Sequence, residues 1–214
     1  MAIVSPSSAH NFVVSVCIGL GSESTEAHLV ADQLVGANLA GHDSHGIGML
    51  PSYVAGAVNG HLKVNQTPKI TTDAGALVVF DGQSGFGQVN GYEAMNEGIK
   101  RAEQFGVAII GLRNSYHIGR IGHWAEQCAV AKMASVHFVN VIGHTPLVAP
   151  HGGAQSRFGT NPFCAAVPGK GNEPAALLDM ATSIIAGGKA RVAYNRGDLV
   201  PMGTVIDASG QLSN

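Results

Sequence analysis

No basic block, no paired-cysteine motif and no long apolar run occurs in this 214-residue sequence. Twelve Lys and Arg stand against fourteen Asp and Glu, and charged residues make up only 12% of the chain. Without a cluster of cations to track a phosphate backbone, nucleic acid is not an expected partner. The three cysteines, Cys17, Cys128 and Cys164, are odd in number, far apart and outside any CxxC spacing. That usage suits free thiols in a reducing compartment, and the expected setting is cytoplasmic. No stretch reaches the roughly 18 apolar residues of a membrane span, and no basic start precedes the modestly apolar N-terminus MAIVSPSSAHNFVVSVCIGLG. The expected protein is soluble, not exported and without a membrane partner.

Several catalytic signatures are also missing. There is no Walker motif and no GxSxG nucleophile elbow. The nearest approach to a dinucleotide fingerprint is GFGQVNG at 85–91, whose third glycine comes one place late and which lacks an obvious acidic partner further on. A Rossmann fold is therefore not expected. Ten histidines raise the question of a metal, and His42-x-x-His45 is a spacing that metal sites use. No HExxH or Cys and His cluster accompanies the pair, so no metal is expected.

What is present is an apolar fraction of 45%, ample for a packed core in one large domain or two small ones. Phe12, Val13, Val16, Cys17 and Leu20 recur at helical spacing after a turn-like Ser5-Pro6-Ser7-Ser8, predicting a helix to about residue 19. Residues 22–25 offer caps, with Glu26 in the first turn, for a second helix whose stripe of Leu29, Val30, Leu34, Val35 and Leu39 runs to Gly41. A short helix comes after Pro51 and ends at Gly60. Residues 63–73 read as extended, 76–81 as a compact strand, 91–105 as an amphipathic helix and 106–115 as a strand. Further on, the pattern predicts a helix at 122–134, strands at 134–143, 163–167 and 176–180, a helix over 182–197, and a final strand and turn at 205–214. The fold class is mixed α+β without regular βαβ alternation.

Three stretches gather glycine, polar and imidazole groups: GHDSHG, RNSYHIGRIGHW and HTPLVAPHGGAQSRFGTNPF. In the first, His45 suits a general acid or base, because imidazole titrates near neutrality and a neighbouring hydroxyl or carboxylate can fix its tautomer. It equally suits a plain helix stop, where histidines meet the carbonyl end of the dipole. In the second, His117 and Arg120 flank flexible glycines after an apolar strand. Arg120 is either an anion site or a solvated loop arginine, and His123 and Trp124 are either part of a site or packing in the next helix.

Taken as an ordered set, NLAGHDSHGIGMLPSYV, DGQSGFGQVNGYEAM, LRNSYHIGRIGHWAEQCA, HFVNV, LVAPHGG, RFGTNPFCAAVP, LLDMATS and GKARVAYNRG resemble the type-2 malate/L-lactate dehydrogenase family of NAD(P)-dependent 2-hydroxyacid dehydrogenases. The likeness runs from about residue 25 onward. It implies a helical N-terminal region at 1–62, a small α/β region at 63–125 and, at 126–214, part of a non-Rossmann cofactor domain built on a mostly antiparallel sheet. It implies hydride transfer between a nicotinamide, NAD or NADP, and a small 2-oxo or 2-hydroxy acid. His45 is then the proton donor and lies at the nicotinamide, with Ser44 and His117 orienting it or the substrate. Gly119, Arg120, Ile121, Thr160, Asn161 and the run Leu177, Leu178, Asp179, Met180 and Ala181 approach the cofactor, with Arg120 the partner of an anion that is either the cofactor phosphate or the substrate carboxylate, and the assembly is a homodimer.

Two departures from the resembled pattern carry expectations of their own. Many relatives have an arginine between the SHG motif and the next proline, whereas this chain reads Gly48-Met49-Leu50, so the substrate carboxylate has no arginine at that place to hold it. Relatives also continue well past the point where this sequence stops, which implies a fragment or a truncated relative. An inactive remnant that keeps only binding or dimerisation surfaces is the competing reading, with a metal-dependent hydrolase the third.

Overall fold

The computed structural model describes residues 4–143 and 145–214. Met1, Ala2 and Ile3 of the apolar N-terminus, and His144 at the head of the third histidine-bearing stretch, lie outside them. Helix α1 (Pro6–Gly19) begins where the Ser5 hydroxyl accepts the Ser8 N–H at 3.1 Å and Pro6, which has no N–H to leave unsatisfied, occupies the first turn. The Ser5-Pro6-Ser7-Ser8 run is thus a helix start and not a free turn. Helix α2 (Ser24–Leu39) packs against α1. Its expected capping side chain is used otherwise: the Ser22 hydroxyl donates to the buried Glu26 carboxylate at 2.6 Å, and the Asn65 N–H reaches the same group at 2.9 Å.

Two 3₁₀ turns, Asp43–His45 and Ile47–Met49, lead into α3 (Leu50–Val58). Val13 and Cys17 of α1, Val30, Ala31 and Leu34 of α2, and Leu50 and Tyr53 of α3 form one apolar core with Phe86 and Val89. Each fully buried aliphatic or aromatic side chain there contributes about 1.5–3 kcal/mol.

Strands β1 (Lys69–Ala74) and β2 (Leu77–Asp81) pair antiparallel. Helix α4 (Gly87–Phe105) then crosses over to β3 (Ile109–Arg113), which pairs parallel with β2. Val78 and Phe80 bury against Ala94 of α4. Helix α5 (Ile121–Val130) next lies on a second sheet of β4 (Ser135–Phe138), β5 (Phe163–Pro168) and β6 (Pro174–Met180), antiparallel throughout. Ile121, Trp124 and Ala125 meet Cys164 and Ala166 there. Helix α6 (Gly187–Arg196) and a hairpin of β7 (Val205–Ile206) and β8 (Leu212–Ser213) complete the described chain. The architecture is α+β, and the second sheet is antiparallel. Among the described residues no helix is long and apolar enough to cross a membrane.

Several boundaries differ from those read in sequence, each because of a partner distant along the chain or a local turn. The strand expected at 134–143 ends at Phe138, which pairs with Phe163, the first residue of β5. The extended run expected from 63 enters a sheet only at Lys69, opposite the last residue of β2. The helix expected from 182 starts at Gly187, because Thr182 ties its N–H and hydroxyl to the Thr160 carbonyl, both at 3.0 Å. Helix α5 stops at Val130, and Lys132 takes a left-handed φ of 64° before residue 134 is reached. Helix α4 starts four residues before Gly91.

Candidate active site

Helix α2 ends as a glycine stop should. Gly41 takes a left-handed φ of 75°, and the His42 N–H returns to the Ala37 carbonyl at 2.8 Å. The segment after Gly41 is not a loose tail. The Asn38 amide clamps it, donating to Asp43 Oδ1 at 2.7 Å and accepting the Ile47 N–H at 2.8 Å. Ser44 and His45 are held between these two anchors. The Ser44 hydroxyl lies 2.9 Å from His45 Nδ1, with Ser44 only 6% exposed. A hydroxyl can donate to a neutral imidazole or accept from an imidazolium N–H, so this contact persists in both protonation states.

His117 arrives from the loop after β3 and stacks on His45, with ring centroids 5.5 Å apart and planes 22° apart. Its Nδ1 is 2.7 Å from the Tyr53 hydroxyl, which accepts from Gln88 Nε2 at 2.9 Å. With one hydrogen bond accepted from Gln88, the Tyr53 hydroxyl still has a proton to give and a lone pair to offer, so it can pair with His117 Nδ1 in either tautomer of the ring. Gln33 completes the array: its carbonyl accepts from Gln88 at 3.3 Å and its amide donates to the Ile118 carbonyl at 3.0 Å. This close approach requires Gly119, whose φ is 71° and where a Cβ would lie 2.0 Å from the Gln33 amide.

Burial disfavours the charged form of both imidazoles. It lowers His45 most, with His42, Arg191 and Lys189 adding repulsion and the Asp179 carboxylate partly offsetting it. His117 is pushed down to about 4, by burial first and then by His45 and Arg191. An unfolded His117 takes up its proton near 6.5 and the folded one near 4, so within that window the unfolded chain holds more protons. Stability should therefore fall as pH drops from 6.5 to 4, by about 3 kcal/mol from this group over the whole window. Urea unfolding of His117→Gln at pH 7 and across the acid limb is expected to show a shallower fall than the wild type. An equally steep fall would refute the assignment.

The remaining expected site residues fall around this array. The Gly122 N–H donates to Asp179 Oδ2 at 2.7 Å, joining the start of α5 to β6. Leu177, Leu178 and Met180 of β6 are exposed, with Asp179 half-buried among them and Ala181 next in the chain. Thr160 and Asn161 are bound through their carbonyls to Thr182, and Asn161 keeps a buried Oδ1 without a partner. Arg120 is not a solvated loop arginine. It is 6% exposed and ion-paired with Glu126 through Nη2, and its buried Nε–H has no hydrogen-bond partner. Trp124 is packing, its indole N–H donating to the Ile118 carbonyl at 3.0 Å.

The glycines of GFGQVNG serve contact. A Cβ at Gly87 would lie 2.2 Å from the His117 carbonyl oxygen, and one at Gly91 would lie 2.6 Å from the Trp124 ring. His42 Nδ1 sits 3.1 Å from the Ala40 carbonyl, and among the described residues no three His, Cys, Asp or Glu side chains converge as metal ligands. All three cysteines are buried and unpaired, and burial raises Cys17 to about 11 and Cys164 to about 12, away from thiolate chemistry.

A family model described as malate/L-lactate dehydrogenase matches residues 4–214. The chain belongs to this family. It is 57% identical over 201 residues to hydroxycarboxylate dehydrogenase B of Escherichia coli strain K12, covering 94% of this chain and 55% of that protein. It is 43% identical over 182 residues to L-lactate dehydrogenase of Cupriavidus necator, covering 85% of this chain and 52% of that one. The solved structure of sulfolactate dehydrogenase from Methanocaldococcus jannaschii matches with a TM-score of 0.88 at 33% identity, over 99% of this chain and 60% of that one. The chain spans about half the length of the curated relatives it matches.

For this member of the malate/L-lactate dehydrogenase family, the sequence patterns assigned no site role to Tyr53, Gln33, Gln88, Lys189 or Arg191. Gln88 stands in GFGQVNG, weighed only as a dinucleotide fingerprint, and the others stand in stretches read simply as helices. The one available signal was polarity inside an otherwise buried stripe, as at Gln33 and Gln88, because a buried amide needs partners.

Proposed function

We propose that this chain carries the acid–base and substrate side of a nicotinamide-dependent oxidoreductase that interconverts a 2-oxo acid and a 2-hydroxy acid. The observation that carries it is the stacked His45–His117 pair, held neutral by burial, with Ser44 and Tyr53 each on one Nδ1. This leaves Nε2 of His45 for a reacting oxygen. At rest His45 is neutral; in reduction it first takes up a proton, and as imidazolium gives the Nε2 proton to the carbonyl oxygen and returns to neutral imidazole while Ser44 keeps its ring oriented. In the reverse direction its lowered pKa suits it to take the hydroxyl proton. His117, tied to Tyr53, positions His45 and shields it from water. The relatives' names, hydroxycarboxylate, L-lactate and sulfolactate dehydrogenase, support the same class of substrate.

The residues around β6 fit a nicotinamide. Leu177, Leu178 and Met180 offer an exposed apolar ledge for a flat ring, and the unpartnered Asn161 Oδ1 lacks the donor that a carboxamide would bring. When bound, that cofactor supplies or accepts the hydride. Gly119, Ile121 and Thr160 would line its approach, with the Arg120 Nε–H toward its anionic part. NAD is the proposed form, in a homodimer and in the cytoplasm; the three unpaired cysteines support the compartment.

Mixing the intact protein, as its gene encodes it, with NADH or NADPH and a panel of 2-oxo acids is expected to oxidise the nicotinamide with at least one acid, faster with NADH. A folded preparation that turns over none of them would overturn the proposal and favour the inactive remnant.

A further inference from the structure

We infer that Arg191 of α6 binds the carboxylate of the acid substrate beside Ser44 and His45, an assignment that rests on the function proposed above. Three contacts seat α6 over this segment. Arg196 Nη2 lies 3.1 Å from Asp43 Oδ2. Gly188 is so near Ser44 that a Cβ there would come within 2.8 Å of the Ser44 Cβ. Between them, Arg191 Nη2 lies 3.5 Å from Met49 Sδ. The arginine therefore stands on the face of α6 that covers the SHG motif, with its side chain exposed to arriving solute.

Arg101, Arg113, Arg120 and Arg196 each have an Asp or Glu within ion-pair distance, whereas among the described residues Arg157 and Arg191 have none. Arg157 gives its guanidinium to the Gln155 amide oxygen in an exposed loop, so Arg191 is the unpaired arginine beside the SHG motif. Its one hydrogen-bond acceptor there is a thioether, which is weak and cannot neutralise it. Its charge opposes protonation of both imidazoles, so the guanidinium lies within electrostatic reach of the pair. An unpaired arginine on an open surface would be ordinary, but this one is held at Met49, next to the SHG segment, with no carboxylate to compensate it.

A 2-oxo acid carries its carboxylate one bond from the carbonyl that must meet His45. A planar guanidinium can take both carboxylate oxygens at once, and so fixes the direction of the carbonyl as well as the position of the anion. The arriving negative charge also offsets the repulsion that holds down the His45 pKa, favouring the protonated donor that reduction needs. Lys189, on the same helix, adds positive charge without a fork to orient the acid. Positions 48–50 read Gly-Met-Leu and supply no cation, so the anion contact comes from α6 instead.

The test compares wild type, Arg191→Gln and Arg191→Lys in the intact protein. It reads KM for the best acid of the panel, KM for the nicotinamide, and calorimetric binding of oxamate, an unreactive 2-oxo acid analogue, at saturating cofactor. Arg191→Gln is expected to raise the acid KM at least about 50-fold, leave the cofactor KM within about twofold and abolish oxamate binding. Arg191→Lys should fall between, and added guanidinium ion should partly restore Arg191→Gln. An acid KM that stays within about threefold, or equal rises in both KM values, would overturn the inference while leaving the proposed reaction intact. Oxamate binding that depends on Arg191 without any turnover would uphold the carboxylate site and remove the proposed reaction. A wild type that neither binds oxamate nor turns over would remove both.

Discussion

His45→Ala is expected to lower kcat for 2-oxo acid reduction by about 10²- to 10⁴-fold, the usual contribution of a positioned general acid. The reason is the lack of a substitute. His117 is the nearest imidazole, but its Nδ1 is taken up by Tyr53, and its pKa of about 4 leaves it unprotonated at neutral pH. The Ser44 hydroxyl can accept or pass on a proton but does not carry a charged one. Removing the ring should therefore affect the chemical step while the seat for the acid's carboxylate, across from it on α6, remains. The expected signature is a loss in kcat with a modest change in acid KM, the opposite of the Arg191 variants. Added imidazole should recover part of the rate, and a His45→Ala protein that reduces the acid at the wild-type rate would end the assignment.

Gly87→Ala is expected to cost about 3 kcal/mol or more in urea unfolding, although alanine is the better helix former. The added Cβ would lie 2.2 Å from the His117 carbonyl oxygen and 2.5 Å from both the His117 carbonyl carbon and the Ile118 Cα. These are backbone atoms of the loop that presents His117, so relief requires α4 and that loop to separate. Activity should fall along with stability. Gly98→Ala in the same helix is the control, because its Cβ meets only the Ile110 side chain, at 2.9 Å. A side-chain methylene can move, and the helix gains up to about 1 kcal/mol in propensity, so the net effect should stay within about 1 kcal/mol. Equal losses at the two positions would show that propensity or burial, and not the backbone contact, governs Gly87.

The helices are the most legible part of the fold because their signals are local. Pro6 at a first turn, Gly41 past a last turn and apolar residues at 3.6 spacing act over a few positions, and α1 to α3 form close to where those signals stand. The strand at 134–143 reads too long because a run of β-prone residues does not state how long its partner is. Only β5, beginning at Phe163, sets that end. Helix α4 reads as starting late because its first glycines look like a loop in sequence, and only the contacts of Gly87 with the His117 backbone and of Gly91 with the Trp124 ring explain them.

The candidate site divides in the same way. The glycine stop, the hydroxyl beside His45 and the cation near His117 are all visible in the chain, and the ordered motifs suffice to assign the family. Neighbouring residues act on one another wherever the rest of the chain goes. Tertiary structure alone decided that His45 stacks on His117, that Tyr53 orients the second ring, that Arg120 turns inward to Glu126, and that Arg191 reaches Met49 beside the SHG motif. Each depends on separate elements packing around a shared core, and burial in that packing, which no single segment encodes, is what holds the two histidines neutral.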